Sequence, residues 1–308
     1  MDKEKMILRS MLYVPSNSWR MINSAITEGE DAVILDLEDA CPLSEKETGR
    51  VFARDAAAMI NEAKIDFFVR VNSFDTGLTE EDLNYVVVDG LDGIMLPKAE
   101  SKEDVDKLDR LLTSAEKKKG LKHGSIAIIP LIETPKGVFD VEDIISASNR
   151  VIAVSFGAGD YSSEIGAGMG VTRLNSEEYN LMVYYPRCQI ALAARAAGIL
   201  AIDSPYFGYV IDIDGLVKET NQVKLMGFTG KQLTHPRHVS PVNQVFSPSE
   251  EEIDFAEQVN RAFEEAQAKG LGATTIGGKM IDYGSYKRAT ALLATAERIA
   301  EKDKARIL

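Results

Sequence analysis

The feature that most constrains the fold of this chain is a series of eight short apolar segments, each followed by a longer amphipathic stretch. The segments are residues 11–14, 32–37, 67–71, 93–96, 126–132, 151–156, 199–202 and, weakest, 228–233. They are rich in Val, Ile and Leu without strict alternation, which is typical of parallel strands buried on both faces. Eight such strands alternating with helices predict an α/β fold, a closed (β/α)8 TIM barrel over residues 1–245, rather than an open doubly wound sheet.

The pattern changes after about residue 245. Ser249 and Glu252 form the sequence signature of a capping box, and the apolar stripe that follows ends at Gly270. A glycine-rich loop is then expected, followed by a last helix from about Tyr286. Residues 246–308 are therefore predicted to form a C-terminal helical extension. Two interpretations of it stay open, a helix pair that closes the barrel and a functional lid.

Charge and composition argue against several classes of protein. The chain carries 35 Lys and Arg against 48 Asp and Glu, a net charge of −13, which argues against a general nucleic-acid or anionic-membrane surface. No apolar segment approaches the ~18 residues that span a bilayer. The first ten residues show no signal peptide, so we expect a cytoplasmic protein. Two cysteines and three histidines give no basis for a disulfide framework or a structural zinc site.

Charged side chains follow most of the apolar segments, where the active site of a barrel enzyme lies. They are Asp36, Glu38, Asp39, Arg70, Lys98, Glu133, Asp160, Asp203 and His235. Carboxylates gathered at one mouth repel one another unless a cation lies among them. Glu133 and Asp160 end consecutive strands in a chain poor in His and Cys, which favours Mg²⁺ or Mn²⁺ completed by water and substrate. The alternative is that each carboxylate caps the helix that follows it.

Two cations in this set have more than one interpretation. Arg70 projects from an apolar strand, so it either clamps a substrate carboxylate bidentately or pairs with Asp36 or Glu38. Lys98 is either a Schiff-base lysine or, as we favour, a charge partner of the carboxylates. A dinucleotide site is not indicated, because the glycine motif at residues 157–162 ends in Ser and follows the sixth strand.

Taken in order, short motifs along nearly the whole chain resemble one family. They are LDLEDA at 35–40, VRVN at 69–72, LPK at 96–98, PLIET at 130–134, GAGDY at 157–161, AIDSPY at 201–206, GFTGK at 227–231, THP at 234–236 and GKMID at 278–282. The set resembles the citrate lyase beta subunit and malyl-CoA (citramalyl-CoA) lyase family of the HpcH/HpaI aldolase superfamily.

The resemblance implies a trimeric or hexameric Mg²⁺-dependent lyase that reversibly cleaves a 3-hydroxyacyl thioester into an acyl thioester and a 2-oxo acid. It implies that Glu133 and Asp160 hold the metal and that Arg70 binds the carboxylate and carbonyl of the oxo acid. It also implies that Asp282 is the acid/base that exchanges a proton with the thioester α-carbon, at the site of a neighbouring subunit. A metal and an Arg would stabilise the negative charge that develops when the carbon–carbon bond breaks.

The residues that would bind the acyl carrier depart from the family pattern. Many CoA-using members carry an Arg and a Lys near the N-terminus, and here Arg20 is kept while Ser24 takes the place of the Lys. Citrate lyase beta subunits, which use an acyl carrier protein, generally lack both. The segment 133–137, ETPKG, looks more like the CoA lyases. We expect Arg20 to contribute to substrate binding, together with His235.

Three functions follow as hypotheses. The first is a free-standing lyase acting on a CoA thioester such as malyl-CoA or citramalyl-CoA. The second is the beta subunit of a citrate lyase complex, which would cleave citryl-ACP to acetyl-ACP and oxaloacetate beside an acyl carrier protein and other subunits. The third is a non-catalytic binding protein on the same scaffold, against which the retained Arg70, Glu133, Asp160 and Asp282 argue.

Overall fold

The computed structural model describes residues 6–167 and 177–307 of the chain. Residues 1–5, part of the segment in which no signal peptide was found, lie outside this description. Eight parallel strands close into a barrel in chain order, and the last pairs with the first. The strands are β1 (Ser10–Pro15), β2 (Ala32–Asp36), β3 (Asp66–Arg70), β4 (Gly93–Leu96), β5 (Ala127–Ile132), β6 (Ala153–Phe156), β7 (Leu200–Asp203) and β8 (Gly230–Leu233). The predicted TIM barrel is confirmed, and each apolar segment overlaps its strand.

Helices surround these strands. In chain order they are α1 (Trp19–Ala25), α2 (Lys46–Glu62), α3 (Thr79–Val86), α4 (Lys102–Lys119), α5 (Pro135–Phe139), α6 (Val141–Ser146), α7 (Ala158–Glu164), α8 (Glu177–Ala197), α9 (Ile213–Met226) and α10 (Val239–Phe246). Local sequence sets their ends, as α4 shows. Ser101 and Asp104 form a reciprocal capping box at its start, and Gly120 ends it in the left-handed conformation with φ 69°.

The barrel interior explains why the eighth segment gave the weakest signal. Apolar side chains such as Met11, Ile34 and Phe68 fill the interior and are fully buried. Strand β8 instead reads Gly-Lys-Gln-Leu, and its buried polar side chains are paired inside the protein. Gly230 is needed there because a Cβ would lie 1.7 Å from the carbonyl oxygen of Leu8.

The chain divides into two compact units between Val245 and Phe246. The second unit contains α11 (Glu250–Ala268), the strands β9 (Thr274–Ile276) and β10 (Lys279–Ile281), and α12 (Tyr283–Ile307). The glycine-rich stretch expected to be a loop is a β-hairpin, because Gly277 and Gly278 both take positive φ, 55° and 81°, as its tight turn requires. The last helix also begins three residues earlier than expected. Among the described residues, no helix combines the length and apolarity needed to cross a bilayer.

Candidate active site

A cavity of about 390 Å³ opens where the barrel strands end. Five of the charged residues expected at the mouth line it, namely Asp36, Asp39, Arg70, Glu133 and Asp160. The strand register brings the first pair together, since Asp36 on β2 lies directly beside Arg70 on β3. These five charged side chains, which come from different strands and loops of the barrel, therefore converge on one cavity as expected.

Arg70 is held from behind by carboxylates. Its Nε and Nη2 each donate to one carboxylate oxygen of Asp36 at 2.7 Å, and Nη1 lies 3.0 Å from Oε2 of Glu38. Asp36 also accepts the backbone N–H groups of Glu38 and Ala40, which shapes the turn after β2. The ion-pair interpretation of Arg70 is thus correct, and it does not remove Arg70 from the cavity. A side-on carboxylate fixes the guanidinium plane before any substrate arrives.

Glu133, the residue after β5, is a buried carboxyl group with an exposed fraction of 3%. Its Oε1 accepts the backbone N–H of Lys98 at 2.8 Å, and Lys98 adopts a left-handed conformation with φ 49°. Gly157 leaves room for the carboxylate, since a Cβ there would lie 2.6 Å from Oε2. Burial and the negative charge of Glu38, opposed by Arg70, raise the pKa of Glu133 to about 8.

Asp160 lies on the first turn of α7, not at the end of β6 as the sequence suggested. It is exposed and lines the same cavity as Glu133, and its charge is one of those that raise the pKa of Glu133. Although desolvation opposes the effect, the carboxylates of Glu38 and Asp160 raise the pKa of Lys98. Lys98 is therefore a charge partner here, as we favoured over a Schiff-base role.

The donor chemistry fits a hard divalent cation. Seven charged groups gather at this mouth: the acids Asp36, Glu38, Asp39, Glu133 and Asp160, and the cations Arg70 and Lys98. The acids are in excess, and a cation beside Glu133 would oppose the effects that raise its pKa. Within the described ranges no three His, Cys, Asp or Glu side chains form a metal cage. Glu133 and Asp160 would thus supply two ligands, and water and substrate oxygens the rest.

Tyr13 on β1 and Gln232 on β8 also line the cavity and were not among the expected site residues. The guanidinium carbon of Arg70 lies 4.8 Å from the centre of the Tyr13 ring. The Tyr13 hydroxyl donates to Gln232 at 2.8 Å, and Gln232 Nε2 donates to the carbonyl of Phe156 at 2.7 Å. Both residues lie inside strands, where the search for charged strand ends gave no signal.

Glu38 and Lys98 contact residues of the cavity wall without lining the cavity. Three other residues, expected at the mouth or in substrate binding, do not line it either. Asp203 is fully buried and pairs with Arg187 and Lys231, so its assignment to the mouth was wrong. His235 is exposed, and its Nδ1 accepts the backbone N–H of Arg237 at 3.0 Å in a short 3₁₀ turn. Arg20 is exposed on α1.

Asp282 belongs to the second unit and directly follows β10. Its Oδ1 accepts the backbone N–H and the hydroxyl of Ser285, both at 2.8 Å, so it caps the start of α12. In this structure a strand precedes it, and the hydrogen bonds from Ser285 lower the pKa of Asp282.

Comparison with known proteins places this geometry in a family context. The family model for HpcH/HpaI aldolase/citrate lyase matches residues 9–236. The citrate lyase subunit beta of Leuconostoc mesenteroides subsp. cremoris is 34% identical over 305 residues, 98% of each chain. Human mitochondrial citramalyl-CoA lyase is 33% identical over 304 residues, 96% of this chain and 87% of the relative. Protein CitE from Mycobacterium tuberculosis, solved with magnesium, acetoacetate and coenzyme A, superposes with a TM-score of 0.73 at 26% identity, covering 95% of this chain and 99% of that one.

Proposed function

This chain belongs to the HpcH/HpaI aldolase/citrate lyase family, and from that premise we propose that it is a Mg²⁺-dependent carbon–carbon lyase. Its substrate is a 3-hydroxyacyl-CoA such as malyl-CoA or citramalyl-CoA, which it cleaves reversibly into an acyl-CoA and a 2-oxo acid. The observation that carries the proposal is the presence in one cavity of Arg70, Glu133 and Asp160. Relatives named as lyases of this kind match nearly the whole chain.

The reaction needs charge to be stabilised at both ends of the breaking bond. In cleavage the hydroxyl group releases its proton to solvent as its carbon becomes the ketone of the oxo acid, and the electron pair of the bond moves to the thioester α-carbon. Arg70 binds the carboxylate and carbonyl oxygens of the oxo acid, in an orientation fixed by Asp36. Glu133 and Asp160 hold Mg²⁺, which would stabilise negative charge on the substrate oxygens when bound. Mn²⁺ accepts the same oxygen ligands and is the alternative metal.

Asp282, which a neighbouring subunit supplies in a homotrimer or homohexamer, exchanges the proton of the thioester α-carbon. Its carboxylate accepts that proton in condensation, and the protonated acid returns it in cleavage. Its exposure in the single chain is compatible with this role, since a residue that serves another subunit must lie at the surface of its own. The cap that it forms on α12 fixes the backbone around the carboxylate.

The acyl carrier is CoA, whose phosphates meet Arg20, and the ETPKG segment at 133–137 supports this choice. A second candidate keeps specific support: the protein would be a citrate lyase beta subunit that cleaves citryl-ACP beside other lyase subunits. Ser24, which replaces the CoA-binding Lys, donates to Glu28 at 3.4 Å. The carboxylate of Glu28 therefore lies beside the position of the missing Lys, where it would repel CoA phosphates.

A panel of thioesters tests the proposal. Malyl-CoA, citramalyl-CoA and citryl-ACP are incubated with the protein and Mg²⁺, and release of the 2-oxo acid is measured with and without EDTA. Release from a CoA ester that stops in EDTA is the expected result. Release from citryl-ACP alone would favour the citrate lyase subunit. No release from any thioester, despite measurable binding, would overturn the lyase and favour a non-catalytic binding protein.

A further inference from the structure

Lys46, the first residue of α2, is a buried cation with only neutral oxygen atoms as hydrogen-bond partners. Its exposed fraction is 9%. Its Nζ donates to the carbonyl oxygen of Leu37, to that of Glu38 at 2.8 Å, and to Oδ1 of Asn72 at 2.7 Å. Among the described residues no carboxylate forms an ion pair with it. Burying an ammonium group without an opposite charge is unfavourable, so these three contacts call for a physical reason.

The contacts lie where the pairing of β2 with β3 ends. The N–H of Leu37 still donates to the carbonyl of Arg70 at 2.9 Å. Beyond Leu37 the two segments no longer pair with each other, because the N–H of Glu38 donates to the Asp36 carboxylate and the N–H of Asn72 donates to the Asp82 carboxylate. Backbone pairing therefore no longer fixes these segments relative to each other. Lys46 joins them, with two hydrogen bonds to one segment and one to the other.

These segments carry the groups around Arg70. Glu38 places its Oε2 3.0 Å from Nη1 of Arg70, and Asn72 follows Arg70 by two residues. Asn72 is itself anchored, since its Nδ2 donates to Asp82 at 2.7 Å and Asp82 accepts from Arg50 at 2.7 Å. A shift of Lys46 would thus move Glu38 relative to Arg70, while the far side of Asn72 stays fixed.

We propose that Lys46 is a positioning residue for binding of the 2-oxo acid: its ammonium group holds the segments after β2 and β3 together and so sets the relation of Glu38 to Arg70. The inference rests on the proposed function. The proposal explains why this residue is a lysine. An ammonium group directs three donors from one nitrogen, as the three acceptors around Lys46 require, whereas a guanidinium spreads its donors over a rigid plane. It also predicts an effect on one substrate only, the one that Arg70 binds.

The test compares two substrates in the condensation direction. Lys46→Met is expected to raise the KM for the 2-oxo acid about tenfold, because small displacements of a binding group cost this much or more, with the KM for the acyl thioester unchanged. The matched control is Arg150→Met. Arg150 is a buried cation, 6% exposed, that donates to Glu116 and to the carbonyl of Ile126 at the opposite end of the barrel strands. The control should leave both KM values unchanged, and urea unfolding reports the stability lost by each variant.

A milder pair keeps the test decisive if a Met variant does not fold. Lys46→Arg retains the charge but not the geometry, and it should raise the same KM, whereas Arg150→Lys should not. A folded Lys46 variant with the wild-type KM for the oxo acid, or with both KM values raised equally, would overturn the inference alone. A wild-type protein that catalyses neither cleavage nor condensation would overturn the proposed function, and the inference with it.

Discussion

Glu133 shows, at the scale of single residues, how the site trades stability for metal affinity. Its carboxyl group is buried beside other acids, and these surroundings raise its pKa from 4.5 to about 8. A carboxyl group in this state favours folding while it is protonated and opposes folding once it ionises. A bound cation reverses the preference, since it stabilises the ionised form.

Replacing Glu133 by Gln should therefore separate stability from activity. In EDTA the wild type should lose stability relative to Glu133→Gln as the pH rises from 4.5 to 8, by on the order of 5 kcal/mol across this window. The sign follows because the pKa of Glu133 is higher in the folded state than in the unfolded state. The stability that the protonated carboxyl group contributes is therefore present below pH 4.5 and lost above pH 8. Gln Oε1 can still accept the N–H of Lys98. Urea unfolding at pH 5 and pH 8.5 measures the effect, and parallel pH profiles would contradict it. Lyase turnover should fall by orders of magnitude in the same variant.

Arg70→Lys keeps the positive charge and should still abolish most of the activity. A Lys cannot occupy both oxygens of Asp36 at 2.7 Å and also present a planar fork to a substrate carboxylate. We expect kcat/KM to fall about 100-fold or more, a loss typical of removing one aligned donor. The matched control is Arg54→Lys, an exposed arginine paired with Asp55, which should change nothing. A near-normal kcat/KM for Arg70→Lys would make Arg70 a structural ion pair only.

The sequence identified charged residues at the ends of strands, but it could not tell which of them line the cavity and which are buried in ion pairs elsewhere. Arg70 and Glu133 stood out because a charge within an apolar segment or directly after one is unusual, and the fold dictates where such positions meet. Asp203 has the same local pattern, and only its packing against Arg187 and Lys231 takes it out of the mouth. Tyr13 gave no signal because a residue inside a buried strand shows neither its partner nor the side that it faces.

At the scale of elements, a buried ion cluster connects α4 with β5 and β6. Arg150 donates to both oxygens of Glu116 at 2.7 Å and to Asp109 at 2.7 Å. Burial would raise the pKa of Glu116, but the hydrogen bonds from Arg150 and from the N–H of Ile126 outweigh it and lower this pKa to about 2. Removing one partner of such a cluster leaves a buried charge unpaired.

Glu116 should therefore contribute to acid unfolding. Its folded pKa lies below the ordinary value of 4.5, so its contribution is present above pH 4.5 and is lost as the pH falls towards 2, by roughly 3 kcal/mol. Glu116→Gln lacks the titrating group, and its stability should depend less on pH in this window. Urea unfolding at pH 6, 4 and 3 measures the difference. If both proteins lose stability equally between pH 4.5 and 3, the ion cluster does not control acid unfolding.

Elements were predictable where local signals and burial agree. Strands β1–β7 and the capped helices α4 and α11 satisfy this condition, since apolar segments or capping boxes mark them. The hairpin β9–β10 does not, because its strands are three residues each and largely exposed, and its glycines are equally typical of a loop. Strand β8 gave the weakest sequence signal because its buried side chains include Lys231 and Gln232, which are paired with other polar groups. A hydrophobicity scale does not record burial of this kind.

At the scale of the whole molecule, the proposed reacting groups belong to two different units. Arg70, Glu133 and Asp160 lie in the barrel, whereas Asp282 lies in the unit that begins at Phe246. The sequence predicted both regions because the hydrophobic pattern changes between them. It carries no direct mark of which subunit's cavity Asp282 serves, since that depends on how copies of the chain assemble.

Mixed oligomers decide whether Asp282 acts across a subunit boundary. Asp282→Asn and Arg70→Ala should each be inactive alone, because every site lacks one group. If a site combines the barrel of one subunit with Asp282 of its neighbour, random mixing of equal amounts rebuilds about one site in four, and that share of activity should return. If Asp282 serves its own barrel, each subunit keeps its own defect and mixing restores nothing. If Asp282 only caps α12, Asp282→Asn keeps activity on its own. Subunit exchange is verified with two differently tagged chains.

A control mixture of Arg70→Ala with Glu133→Gln has both defects in the barrel, so it should stay inactive under either arrangement. Exchange without recovery in the Asp282 mixture would therefore reject the shared site.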